Sequence, residues 1–191
     1  KTGGFLFGDV ELHQQFFSHG VRTEKEETIK RTGLYVKTLE LAPPEELIFK
    51  LFSHWRAARI LNKLGFSRLI AKSNAEDYAT GSAMGIIVFE DNRRENFILA
   101  GRLFQRLWLK ATQMKMSLHP ITGVLFLQQR ILAQEVGKAL KSEQMEMIGQ
   151  AYQKIADIFG VSRGTITMLF RLGFSQPPSA RSSRLDPKIS L

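Results

Sequence analysis

Cysteine is absent from the 191 residues. That absence excludes disulfides, thiolate zinc sites, iron–sulfur ligation and cysteine nucleophiles together. Long apolar runs are missing too: the longest, Ala83 to Phe89, is far short of the roughly 20 residues that span a bilayer. Four histidines occur, at 13, 19, 54 and 119, and none shows the i,i+4 or His-Glu-x-x-His spacing of a helical metal site. His13 and His19, six apart, fall on different sides of a helix. There is no Gly-x-Gly-x-x-Gly, Walker loop or Gly-x-Ser-x-Gly elbow, so nucleotide hydrolysis and serine hydrolysis have no motif to rest on. No charged segment leading into an apolar stretch and cleavage site opens the chain. The expectation is a soluble, cytoplasmic protein with no membrane partner. Lys1 is not an initiator Met, and the native N-terminus is expected upstream of it.

What is present is material for a core: 43% hydrophobic residues, including 14 Phe. The length fits one domain, or one domain with an arm, and 24% charged residues is too ordinary for a wholly disordered chain. The net charge of +9 is uneven, at +1 over residues 1–60 and +4 over each of 61–120 and 121–191. A basic C-terminal two-thirds suggests an anionic partner without choosing between nucleic acid, membrane and a phosphorylated small molecule.

The first ten residues, with three Gly in eight, resist a regular element and read as an arm. A helix follows from Asp9, a plausible N-cap, through Val10, Leu12, Phe16 and Phe17. Thr23-Glu24-Lys25-Glu26 has the spacing of a capping box. Pro43-Pro44-Glu45-Glu46 starts a helix, since proline fits the first turn and acids favour its dipole. That helix is expected to run to about Leu64, where Gly65 stops it. Another occupies about Ser67 to Tyr78. Gly85-Ile86-Ile87-Val88-Phe89 reads as a strand buried on both faces, and Asp91-Asn92-Arg93-Arg94 as the turn after it. Residues 95–116 form the clearest helix, with Leu99, Leu103, Phe104, Leu107, Trp108 and Ala111 on one side as core. Arg102, Arg106 and Lys110 make a basic stripe opposite, which reads as a solvated face. Proline breaks the helix at Leu118-His119-Pro120. Val124–Leu140 and Glu143–Phe159 look helical. Thr165 to Phe170 reads as a strand, and residues 176–184 as an extended polar tail. The class is α+β, with helices dominating.

Residues 151–171 admit two readings. The order of an apolar helix, Gly160 and then Ser162 resembles a helix-turn-helix, with Ser162 capping a recognition helix. Against it, that second helix would contain Gly164 and three β-branched residues in a row, Thr165, Ile166 and Thr167, which favour a strand. Arg163 and Arg171, its only cations, are sparse for gripping phosphates, and nucleic acid is not the expected partner.

Two further segments stand out together. Leu118-His119-Pro120-Ile121-Thr122-Gly123 forces a bend whose backbone amides can face a ligand. Leu169-Phe170-Arg171-Leu172-Gly173-Phe174 leads into Pro177-Pro178-Ser179-Ala180-Arg181-Ser182-Ser183-Arg184, where paired arginines on a proline-stiffened strand suit bidentate gripping of a phosphate. The pair reads equally as a basic tail.

With Gly101-Arg102-Leu103-Phe104-Gln105-Arg106-Leu107-Trp108-Leu109-Lys110-Ala111-Thr112 ahead of them, these segments resemble, in order, the nitroreductase family of flavin mononucleotide (FMN) oxidoreductases. The resemblance covers roughly residues 80–187. It implies a nitroreductase-like fold, helices packed around a small, mostly antiparallel sheet. Residues 1–8 are then an arm, 9–79 a helical segment, and 80–191 the flavin-binding core with its tail, one domain overall. The resemblance further implies an enzyme in which FMN takes hydride from NADH or NADPH at N5 and passes it to a nitro, quinone or similar acceptor. Pro120, Ile121, Thr122 and Gly123 would form the turn over the flavin ring, with the Thr122 and Gly123 amides tuning N5. Arg181 and Arg184 would bind the phosphate. Members of the family are homodimers with flavin at the interface, which makes the apolar helices candidate dimer surface. The chain departs from the family in lacking an opening Arg-Arg-Ser-x-Arg segment and in having Thr122 where Glu often stands. It is therefore expected to be the C-terminal part of a longer member. The alternatives are a helix-turn-helix DNA-binding protein and a nitroreductase-fold remnant without flavin.

Overall fold

The computed structural model describes residues 10–136 and 140–186. The expected arm, the Asp9 cap and the last residues of the tail lie outside them. The chain forms an α+β protein with two compact units, residues 10–71 with 176–186, and residues 72–175. The tail thus groups with the N-terminal helices, where the sequence reading attached it to the later core.

The first unit begins with α1 (Val10–Ser18), β1 (Gly20–Val21), α2 (Glu24–Lys30) and β2 (Leu34–Tyr35), the two short strands pairing in parallel. The capping box forms as expected: the Glu26 amide donates to the Thr23 hydroxyl, and the Thr23 amide donates back to the Glu26 carboxylate. A 3-10 turn (Val36–Leu39) precedes α3 (Pro43–Phe52), α4 (Trp55–Lys63) and α5 (Phe66–Ala79), whose residues from Lys72 on belong to the second unit. The single helix expected over 43–64 is therefore two. Ser53 causes the break, because its hydroxyl takes the Lys50 carbonyl at 2.7 Å and competes with the helical ladder. His54 is then extended, at φ −98° and ψ 113°. Phe52 and Ala58 are fully buried and pack with Phe17, Ile48 and Leu61. His13 is buried beside them, donating from Nε2 to the Phe52 carbonyl at 2.7 Å.

The second unit is built on a three-stranded antiparallel sheet in the order β3 (Ala83–Phe89), β5 (Thr165–Gly173), β4 (Ser117–Pro120). The central strand holds the β-branched run, and the helix-turn-helix reading fails there. Gly164 sits at φ +93° with the Phe89 carbonyl where a Cβ would lie, and the chain leaves it as strand. A bulge at Thr167 shifts the register between Ile87 and Val88. The Thr167 hydroxyl donates to the Ile87 carbonyl at 3.0 Å, and the Ile166 amide donates to the Tyr152 hydroxyl, so the bulge leaves neither group unpaired.

Helix α6 (Arg94–Gln113) covers one face of this sheet, burying Ala100, Phe104 and Ala111 against Ile87, Leu118 and Phe170. Helices α7 (Gly123–Leu132) and α8 (Ser142–Ile158) cover the other, burying Leu125 and Ala156 against Ile166 and Leu169. Three expectations change here. Only β5 is buried on both faces; β3 is an edge strand, with Met84 48% exposed. The α6 residues Leu99, Leu103, Leu107 and Trp108 are exposed, because the sheet meets the narrower stripe through Ala100, Phe104 and Ala111. Helix α7 stops at Leu132 instead of reaching Leu140: Gln134 turns left-handed at φ +58°, and the Glu135 amide closes on the Arg130 carbonyl at 2.9 Å, a Schellman ending.

Candidate functional site

Strand β4 presents the expected turn. Leu118, His119 and Pro120 pair with Leu172, Arg171 and Phe170, and the Ile121 amide extends the ladder to the Leu169 carbonyl at 2.7 Å. The chain then bends into α7 with Thr122 as its N-cap, at φ −100° and ψ −6°. The Thr122 side chain makes no cap hydrogen bond, and no acid stands in the first turn. Among the described residues, the Thr122 and Gly123 amides donate to nothing. The partial positive charge of the helix start is thus uncompensated, and a Cβ built on Gly123 meets only open space. Pro120 ends β4, and Thr122 stands at the N-cap of the helix that Gly123 begins. Ile121 instead packs its side chain with Leu125 and Leu169, so it serves the turn's shape.

Arg181 and Arg184 lie on the tail, in the other unit. Both are exposed, and among the described residues neither guanidinium makes a hydrogen bond or ion pair. Their backbone is held, however. The Ser179 amide donates to Glu40, the Ser183 amide to Glu27 Oε1 at 2.6 Å, and Arg31 pairs with Asp186 at 3.0 Å.

The sequence reading missed a second cluster. By the alternation of β5, Arg171 emerges on the α7/α8 side of the sheet, next to its partner His119. Its guanidinium lies 5.3 Å from the Tyr78 ring centroid and donates to the Asp77 carbonyl. The His119 ring is 6.0 Å from that of Tyr78. Burial, and secondarily the Arg171 charge, hold the His119 imidazole below its usual 6.5. Finding this cluster requires the β4–β5 register, which no local motif carries.

The sign of that shift sets a pH dependence. Below about pH 6.5 the unfolded chain protonates His119 while the folded chain resists. The unfolded state then binds more protons, and folding stability falls. Urea unfolding between pH 7 and pH 5 is expected to show this loss, and His119→Gln to flatten it; an equal slope in the variant removes His119 as the cause.

A groove of about 560 Å³ lies between the end of α8 and Gly164, lined by Tyr152, Asp157, Val161 and Arg163. None of the expected site residues lines it. Among the described residues no three acidic or histidine side chains gather as metal ligands, and no helix is long and apolar enough to cross a membrane. No protein-family model, curated protein or solved structure matches the chain.

Proposed function

We propose that the chain is a nitroreductase-type FMN-dependent NAD(P)H oxidoreductase with a nitroreductase-like fold. The observation that carries the reading is the uncapped start of α7, where the Thr122 and Gly123 amides have no hydrogen-bond partner among the described residues, at the place the family resemblance assigns to the flavin ring. Arg181 and Arg184, exposed and without carboxylate partners among the described residues, are the residues suited to the phosphate. FMN, when bound, supplies hydride transfer at N5 between NAD(P)H and a nitro, quinone or similar acceptor. The chain supplies positioning and electrostatics. The Thr122 and Gly123 amides favour electron density on whatever acceptor atom meets them, and the resemblance gives the anionic end to the two guanidiniums. Thr122 needs no acidic side chain for this, because the contact is made by backbone.

Helix α6 fits the homodimer that the resemblance implies. Leu99, Leu103 and Leu107 recur at i, i+4 and i+8 and all remain exposed, a leucine stripe that a second copy would bury.

Titrating the apoprotein, produced from the full gene, with FMN and following flavin fluorescence tests the proposal. Saturable quenching with a yellow, reducible complex is expected, with NADH or NADPH bleaching the bound flavin. A preparation that stays colourless and leaves FMN fluorescence unchanged overturns it.

A further inference from the structure

We propose that Glu27 and Glu40 are positioning residues, which hold the tail so that Arg181 and Arg184 are presented as a preformed anion clamp. The proposal rests on the reading of those arginines as phosphate ligands.

Three anchors bracket the two arginines along the chain. Ser179 donates its amide to Glu40, Ser183 to Glu27, and Asp186 pairs with Arg31 through both guanidinium nitrogens. Arg181 falls between the first two anchors and Arg184 between the last two. Glu27 and Arg31 stand four residues apart, one helical turn, on α2 and its C-cap, so a single helix face supplies both. A segment with no helix or strand over residues 174–186 would ordinarily be free to move. Here the backbone is pinned on both sides of each arginine while the guanidiniums are left unpaired.

Glu27 is costly for the fold in a way that supports this role. It is 4% exposed, and its Oε2 is buried without any hydrogen-bond partner. A half-satisfied buried carboxylate is worse for stability than an apolar side chain of similar size. Among the described residues, its side chain accepts one hydrogen bond, from the Ser183 amide. Both carboxylates, moreover, meet backbone amides and not guanidiniums, so the charges of Arg181 and Arg184 stay available. Fixing two cations beforehand removes the ordering cost that a mobile tail would incur on binding an anion.

The test uses the full chain and two readouts, trypsin cleavage after Arg184 without FMN, and the FMN dissociation constant. Glu27→Ala removes the acceptor, and Ser183→Pro removes the donated N–H without touching a helix, so one of them stays informative if the other fails to fold. Each is expected to speed cleavage and weaken FMN binding by about tenfold, the lower end for a charge-assisted hydrogen bond. Glu27→Gln keeps an acceptor oxygen and is expected to restore most of both. Unchanged cleavage in both variants overturns the clamp. Faster cleavage with unchanged FMN affinity overturns the positioning role; the phosphate reading then stands if Arg181→Ala still weakens FMN, and falls with it otherwise. A wild-type chain that takes up no FMN overturns both.

Discussion

Phe170→Ala is expected to lower folding stability by about 3–5 kcal/mol, as large aromatic truncations in a core do. Phe170 is 6% exposed on the central strand, with its ring 5.6 Å from that of Phe104. On its other side it crosses Gly85, directly opposite on β3, where a Cβ would stand 2.6 Å from the ring edge. The glycine admits the ring, and it also has no side chain to fall into the space the ring leaves. The cavity therefore cannot collapse easily, which places the cost toward the upper end. Gly85→Ala alone is destabilising through the clash. Combined with Phe170→Ala it should cost less than the two together, because the methyl group then occupies vacated space. Urea midpoints for the four proteins of this cycle check the prediction. A Phe170→Ala loss below about 1 kcal/mol, or strict additivity, means that β3 and β5 are not paired in this register.

Arg181→Ala or Arg184→Ala is expected to weaken FMN binding roughly ten- to a hundredfold, with the fold intact. The phosphate carries nearly two negative charges, and a guanidinium meets two of its oxygens at once. Each charge-assisted hydrogen bond contributes about 1.5–3 kcal/mol, which converts to that range of affinity. Neither side chain packs into a core, so stability should change little. Lysine at either position should recover only part of the loss, since a point charge does not reproduce the planar fork. The dissociation constants of both alanine variants decide the matter. If neither differs from wild type, the phosphate site lies elsewhere and the tail is merely basic.

Local chemistry explains which parts of this architecture were readable in the sequence. Thr23 and Glu26 announce a helix start because both partners of the capping box lie within four residues. Thr165 to Thr167 announce a strand, because β-branching and Gly164 act on the backbone directly. The turn after Pro120 was legible for the same reason. The break at Ser53 was not, since it depends on a serine hydroxyl turning back to one carbonyl inside an otherwise helical pattern. Nor was the narrow stripe of α6: seven apolar side chains compete for one sheet face, and only tertiary packing selects Ala100, Phe104 and Ala111. Glu27 was hidden most deeply. Within Glu24-Lys25-Glu26-Glu27 it reads as one more solvated charge, and the amide that donates to its carboxylate lies on a tail more than 150 residues later.

The bulge at Thr167 fixes the parity of the central strand. Ile166 and Leu169 face α7 and α8, while Met168, Phe170 and Leu172 face α6, an assignment that this sequence cannot make as an unbulged strand. Removing Thr167 itself only flattens the bulge and keeps every face, but remove Leu169 with the bulge kept, and everything beyond it changes sides. Phe170 would be thrown out of the pocket over Gly85, and the Arg171 guanidinium would be driven toward Phe104 and away from Tyr78 and His119. A single insertion or deletion in this stretch is therefore tolerable only where the bulge absorbs it. The face on which the strand's one charge reaches solvent is written in a count of residues rather than in any residue's identity.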